Sequence, residues 1–317
     1  MLVPIAQVAP GIFRIGPVDH GRPSNPTSPY LVVGRERAAV LEPGEDGLVP
    51  AVVQAIRECD LELDSFTYIM PTHIHLHHIQ GVPLLLNHLT KAKVLVHPRG
   101  APHLIEPTRL VRESIEAWGD KCYGPFPPIP REKVMVVEDG QVIDLGGREL
   151  EIIYTPGHSA HHLSFFDRQT RALFSGDMVA LHTPGNDRGH HDIRPPLFDV
   201  EKWLQSLHRL QALKPSLIIT HREGGVVFAP QNTLKWAEED MMAIERICRE
   251  GMKAKMSFRD MARSVQEYGR RVGALPRRES DDPAFSSGGL SGLIAYIRRK
   301  DPSLEFPADF TQMMRGG

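Results

Sequence analysis

The stretch that most constrains this chain is FTYIMPTHIHLHHIQG, residues 66–81. A short β-rich run opens there directly onto four histidines, His73, His75, His77 and His78. The run is too short for a helix and too apolar for a surface strand, so it reads as a buried strand whose end delivers the cluster. Other apolar runs also end on residues with donor side chains. LEIIYTPGH places His158 after a Thr-Pro-Gly turn, RALFSGD places Asp177 after Ser-Gly, and SLIITH ends on His221. In layered α/β folds strand ends converge on one rim, where such folds build their sites.

The rest of the first 230 residues fits that class. GIFRIG, SPYLVVG and RAAVLEPG read as strands, as do KVLVH, KVMVVE, QVIDL, and the two halves of HHLSFFDRQTRALFSGD. Helical stripes lie between them: LVPAVVQAIREC (48–59), IQGVPLLLNHL (79–89), TRLVRESIEAWG and DVEKWLQSLHRLQALK. Residues 231–317 carry no strand pattern. NTLKWAEEDMMAIERICREGMKAK and GLSGLIAYIRR are amphipathic, and RRESDDPAFSSGG reads as a loop or flap. We therefore expect a catalytic α/β domain over 1–230 and a helical region over 231–317 that caps the site or makes a homodimer.

Composition narrows the class further. With 37 Lys+Arg against 39 Asp+Glu, the chain lacks the basic excess of a nucleic-acid coat. No run approaches the ~18 apolar residues of a membrane span. The three cysteines, Cys59, Cys122 and Cys248, are scattered and form neither a disulfide framework nor a thiolate metal site. With no basic-then-apolar leader at the N-terminus, these features predict a cytoplasmic protein acting on a small molecule, without nucleic acid or membrane.

If residues 73–77 are extended, alternation points His73, His75 and His77 the same way, with His78 swinging in as the chain turns. Imidazoles gathered at such spacing suit a divalent metal, with N-to-metal distances of about 2.0–2.1 Å for zinc. The neighbouring His161 and His162 alternate to opposite faces and read as structural. His20, His88, His97, His103 and His208 read as background.

H-x-H-x-H-H at 73–78, followed by His158, Asp177 and His221 in that order, resembles the metallo-β-lactamase superfamily from about residue 10 to 225. The resemblance implies a four-layer αβ/βα sandwich with two metals at one edge of its sheets. It implies His73, His75 and His158 on the first metal, His78 and His221 on the second, and Asp177 bridging both. It also implies a metal-bound hydroxide acting on an ester, thioester or lactone. Zinc is the metal implied, with iron or manganese compatible with the same donors. Glu42, in VLEPG, stands where many members have an aspartate that supports the cluster from behind.

The departure is His77, which stands where the family pattern H-x-H-x-D-H has an aspartate. His77 replaces it as ligand, sits off the metal as a proton donor or orienter, or marks a weakened second site; retention of His78, Asp177 and His221 speaks for two metals. With His77 as ligand the centre is one unit more positive. The catalytic pair expected is His77 and Asp177. His182, Arg188, His190 and His191, in the loop after Asp177, could reach a substrate. The helix-spaced Met241, Met242, Met252 and Met256 read as core rather than as an apolar entrance. A di-iron redox or oxygen-sensing protein, or a non-catalytic metal-binding homologue, is the alternative.

Overall fold

In the computed structural model the described residues are 3–16, 28–118, 126–179, 188, 193, 197–221, 225–274 and 290–310. The short strands foreseen in the sequence assemble into two sheets. The first holds seven strands in chain order: β1 (Ile5–Ala9), β2 (Ile12–Ile15), β3 (Tyr30–Val33), β4 (Ala38–Leu41), β5 (Phe66–Met70), β6 (Lys93–Val96) and β7 (Val134–Val136). β1 to β4 form an antiparallel meander, and β4 to β7 pair in parallel. Parallel neighbours require crossovers, and the chain supplies helices for them. These are α1 (Val49–Glu58), then α2 (Leu76–Ile79) with α3 (Val82–His88), then α4 (Ala101–Ile105) with α5 (Thr108–Trp118).

The second sheet is β8 (Val142–Asp144), β9 (Glu149–Tyr154), β10 (Leu163–Asp167), β11 (Ala172–Phe174), β12 (Leu217–Ile219) and β13 (Val226–Val227), ordered 13-12-11-10-9-8. Central strands buried on both faces are apolar at every position, with alternate residues serving different cores. Leu31, Val40, Ile69 and Val94 meet Val52, Ile56, Val82 and Leu85 of the crossover helices. Tyr30, Leu41, Met70 and Leu95 face Ile152, Phe165, Phe174 and Ile219 of the other sheet. A helix layer, a sheet and a second sheet thus stack in that order, and the rim between the two sheets is where β5, β11 and β12 end and β10 begins.

The chain divides into two compact units. One is Met1–Thr155, His161–Gly176 and Pro215–Phe228, which holds both sheets. The other is Pro156–Ala160, Asp177–Lys214 and Ala229–Gly317. Its helices are α6 (Val200–Ala212), α7 (Pro230–Lys253), α8 (Phe258–Val272) and α9 (Ser291–Lys300), with α6, α8 and α9 each touching α7. α8 is absent from the sequence reading, although its signals are present. The Ser257 side chain caps its start by accepting from Asp260 N–H, and Gly273 ends it at φ +79°. β1, α4 and β13 are likewise absent from that reading. Met241 and Met252 are buried and Met242 is 56% exposed, so two of the four methionines are core, as the spacing suggests. Among the described residues no helix is long and apolar enough to cross a membrane. The expected flap at 277–289 lies outside the described residues.

One local expectation fails at the centre of interest. Residues 73–77 are not extended: the chain bends after Met70, and Leu76–Ile79 form a helical turn, α2, separate from α3. Gln80 and Gly81 break the helix expected over 79–89, which begins only at Val82 with Pro83 in its first turn. Alternation therefore does not align His77 with His73 and His75.

Candidate metal centre

Thr72 anchors the bend. Its N–H donates to Glu42 Oε1 at 2.9 Å, its carbonyl accepts from Leu163 N–H at 2.7 Å, and its hydroxyl meets His73 Nδ1 at 3.1 Å. The end of β5 is thereby tied to β4 and to β10 of the other sheet. With Nδ1 on Thr72, His73 presents Nε2, which lies 2.7 Å from Nδ1 of His75. His75 caps α2, and the turn carries His77 and His78 to the same place. The ring centroids of His73 and His78 are 4.0 Å apart, and those of His77 and His78 are 4.3 Å apart.

Glu42 fixes His78. It sits just beyond β4 in the left-handed region at φ +52°, a costly conformation for a side-chain-bearing residue. From there its second carboxylate oxygen accepts a hydrogen bond from His78 Nδ1, which sets the tautomer and leaves Nε2 as the donor a metal requires. The following loop is pinned to the same turn, with Gly44 N–H on the His78 carbonyl and Gly81 N–H on that of Gly44. His221, beyond β12, brings its ring within 4.0 Å of His78 and 5.9 Å of His77. Ser28 N–H holds the His221 carbonyl, and the Tyr30 hydroxyl donates to the Thr220 carbonyl at 2.9 Å. Burial raises the Tyr30 pKa, so that hydroxyl keeps its proton. One ring nitrogen each from His73, His77 and His78 lies within 4.8 Å of the others, and Glu42, His78 and His221 meet the same criterion. His73, His77, His78 and His221 are buried, and His75 is half-buried.

Two further histidines border this cluster. Residues 160 and 161 form a turn, so His161 lies outside the strand and the alternation assigned to His161 and His162 does not apply. His162 is buried and structural, with Nδ1 2.8 Å from the Thr155 hydroxyl and its ring 5.1 Å from that of His73. The His161 ring stacks parallel to His73 at 6.3 Å and stands 6.1 Å from His75, on the side of the cluster. Gly176, at φ +53°, passes so close that a Cβ there would lie 2.6 Å from both His162 Nε2 and Thr72 Oγ1. This is the physical reason for glycine in SGD.

In the helical unit His158 and Asp177 form a pair, Nε2 to Oδ2 at 3.4 Å, both buried. That spacing is close to the ~3.3 Å between two ligands held about 2.05 Å from one tetrahedral ion. Gly157 presses on α6, where a Cβ would meet Trp203 at 2.4 Å, and its carbonyl accepts from Asp199 N–H. Arg188 is engaged elsewhere. Its guanidinium grips Asp240 through Nη2 at 2.7 Å and Nε at 3.0 Å and lies over the Trp236 ring. His182, His190 and His191 lie outside the described residues.

The donors fit divalent metal. Among the described residues imidazole nitrogens predominate, one of them oriented by a carboxylate on its far nitrogen, and the Asp177 carboxylate stands beside His158. Comparison with known proteins points the same way. A family model described as the metallo-beta-lactamase superfamily matches residues 23–221. The metallo-beta-lactamase fold-containing protein ST1585 of Sulfurisphaera tokodaii is 36% identical over 171 residues, 52% of this chain and 63% of that protein. The atrochrysone carboxyl ACP thioesterase of Aspergillus fumigatus is 32% identical over 38% of this chain and 32% of its own length. The chain thus spans less than two thirds of the length of either relative. A hydroxyacylglutathione hydrolase of Aeromonas salmonicida is 27% identical over 88% of this chain and 85% of its own. Among solved structures, ST1585 matches with a TM-score of 0.57 at 28% identity, covering 74% of this chain and 86% of that one.

Proposed function

Because the chain belongs to the metallo-beta-lactamase superfamily, with that superfamily's αβ/βα sandwich and additional C-terminal helices, we propose that it is a metal-dependent hydrolase. Its substrates are small molecules bearing an ester, thioester or lactone bond. The observation that carries this reading is the Glu42–His78 clamp inside a cluster of five closely set histidines. Relatives named as a thioesterase and as hydroxyacylglutathione hydrolases support the choice of acyl bond.

We assign His73, His75 and His158 to one ion and His77, His78 and His221 to a second, with the Asp177 carboxylate shared between them. Zinc is our first choice, and iron or manganese suits the same donors. Divalent metal held there would acidify water toward a pKa of about 7 and polarise the carbonyl under attack. The chain's own residues do the positioning. Thr72 fixes the His73 ring, Glu42 holds the proton on His78 Nδ1, and Gly176 lets the chain turn close beside Thr72 and His162. His77, on α2, takes the ligand role in place of an acid. We place the protein in the cytoplasm, consistent with Cys59 and Cys248 being free thiols. We read residues 231–317 as the region that caps the site or pairs two copies.

The test is metal analysis joined to turnover. The purified protein should carry about two divalent ions per chain and hydrolyse members of a panel of thioesters, esters and lactones. His73→Ala should lower kcat/KM at least ~100-fold with loss of metal. A wild type that binds two ions and cleaves nothing on the panel would end the hydrolase reading but leave the metal site standing.

A further inference from the structure

Beside the histidine loop runs a buried polar row with no assigned metal ligand in it: Ser175, Ser164, Thr155 and His162, each at most 1% exposed. Elementary donor and acceptor chemistry fixes its direction from one end. The Ser175 carbonyl can only accept, and the Ser164 hydroxyl donates to it at 3.4 Å. The Ser164 oxygen then takes the Thr155 hydroxyl proton at 3.0 Å. With that proton committed, Thr155 Oγ1 accepts from His162 Nδ1 at 2.8 Å. The His162 ring is thereby anchored through Nδ1 to the strands of the second sheet.

The main chain places that ring beside the loop independently. Thr155 N–H donates to the His162 carbonyl at 3.0 Å, which closes the end of β9 onto the start of β10. The next residue, Leu163, donates its N–H to the Thr72 carbonyl at 2.7 Å, and Thr72 is the residue before His73. The His162 and His73 ring centroids lie 5.1 Å apart with the planes tilted by 31°. Gly176 closes the remaining gap, since a Cβ there would lie 2.6 Å from both His162 Nε2 and Thr72 Oγ1.

His73 thus has two kinds of restraint. The Thr72 hydroxyl meets Nδ1 at 3.1 Å and sets which nitrogen faces the cluster. One hydrogen bond still leaves the ring free to pivot about it. A neighbouring ring that is itself hydrogen-bonded to a rigid strand pair removes that freedom, and ligand orientation of this kind governs metal affinity.

We propose that His162, beyond its part in the fold, is a positioning residue of the metal centre: its ring, tethered by the Thr155 hydroxyl, fixes the plane of the His73 imidazole and so the affinity for the ion that His73 serves. This rests on the assignment of His73 to a metal ion, and not on which bond is hydrolysed.

The experiment is a zinc titration of metal-stripped full-length protein against a competing chelator, with cobalt absorption spectra and urea unfolding of the metal-free protein alongside. His162→Ala removes the ring and should weaken binding of one ion about 10- to 100-fold, with weaker cobalt bands and the second ion little affected. His162→Phe keeps a ring beside His73 and should recover most of that loss. Thr155→Val keeps the imidazole but takes away its acceptor, and should fall between wild type and His162→Ala. A purely structural role would lower the urea midpoints of the Ala and Val variants and leave the zinc affinities of the folded proteins unchanged. That result would overturn the proposal, as would a Phe variant that binds zinc no better than Ala. Wild type that binds no zinc would overturn it together with the metal assignment. Turnover enters none of these measurements, so a failure of the hydrolase reading shows separately.

Discussion

Two buried carboxylates, one in each unit, do opposite kinds of work. Glu42 in the sheet unit accepts from the Thr72 N–H and from His78 Nδ1. Asp240 in the helical unit accepts a two-point grip from Arg188 and the Tyr268 hydroxyl at 2.6 Å. Both are almost fully buried. The difference lies in what their partners have left to offer. A guanidinium has no lone pair, so the Asp240 cluster can only hold chain segments together. An imidazole bound at Nδ1 still has Nε2, so Glu42 orients a donor toward something else. A buried carboxylate marks a functional site when its partner remains able to ligate or react, and a structural one when its partner is used up.

Substitution at each acid should separate these roles. Glu42→Gln keeps the shape and can still accept from Thr72, but it no longer offers His78 a second acceptor. Metal affinity at the site served by His78 should fall about 10- to 100-fold in a competitive chelator titration, while unfolding stability changes far less. Asp240→Asn should do the reverse. It removes the charge that compensates Arg188 and should cost about 2 kcal/mol in urea unfolding, with metal affinity unchanged. Exchange of the two outcomes, with metal lost at Asp240 and only stability lost at Glu42, would break the comparison.

Most of the architecture was legible because apolar runs of strand length alternate with helical stripes. FTYIM is β5 to the residue, and DVEKWLQSLHRLQALK contains α6 with Asp199 as its cap. What escaped the pattern was set by tertiary contacts or by short length. α2 is a single turn whose existence depends on Gly44 and Gly81 bonding around His78, and no periodicity can appear over four residues. The histidines of the cluster were legible as residue types at strand ends, whereas their geometry was not. His161 and His97 read as structural or background because nothing local distinguishes them. The position of His97 emerges only from its contact with Tyr154 of the other sheet and that of His161 only from the turn before β10. Glu42 carried a detectable signal, an acid directly after a buried strand and before Pro-Gly.

The smallest effect expected belongs to a third carboxylate, which lies between the two cases. Glu238 on α7 takes a hydrogen bond from His208 Nε2 at 3.0 Å and one from Gln211, and both partners belong to α6. The His208 bond is the main cause holding the Glu238 carboxyl below its ordinary range, against the opposing effect of burial. A depressed carboxyl stabilises the fold above its unfolded pKa, and that contribution is lost as pH falls through the folded value. His208→Ala should therefore destabilise the protein at neutral pH, and its deficit should shrink on acidification below about pH 4.5. Both side chains are substantially exposed, 55% for His208 and 32% for Glu238, so the deficit should stay under ~1 kcal/mol and weaken in salt. Urea unfolding of wild type and variant across the acid range reads it directly. A deficit that persisted undiminished below about pH 3, where the carboxylate is protonated, would mean that the His208 ring acts through packing on α7 rather than through the Glu238 charge.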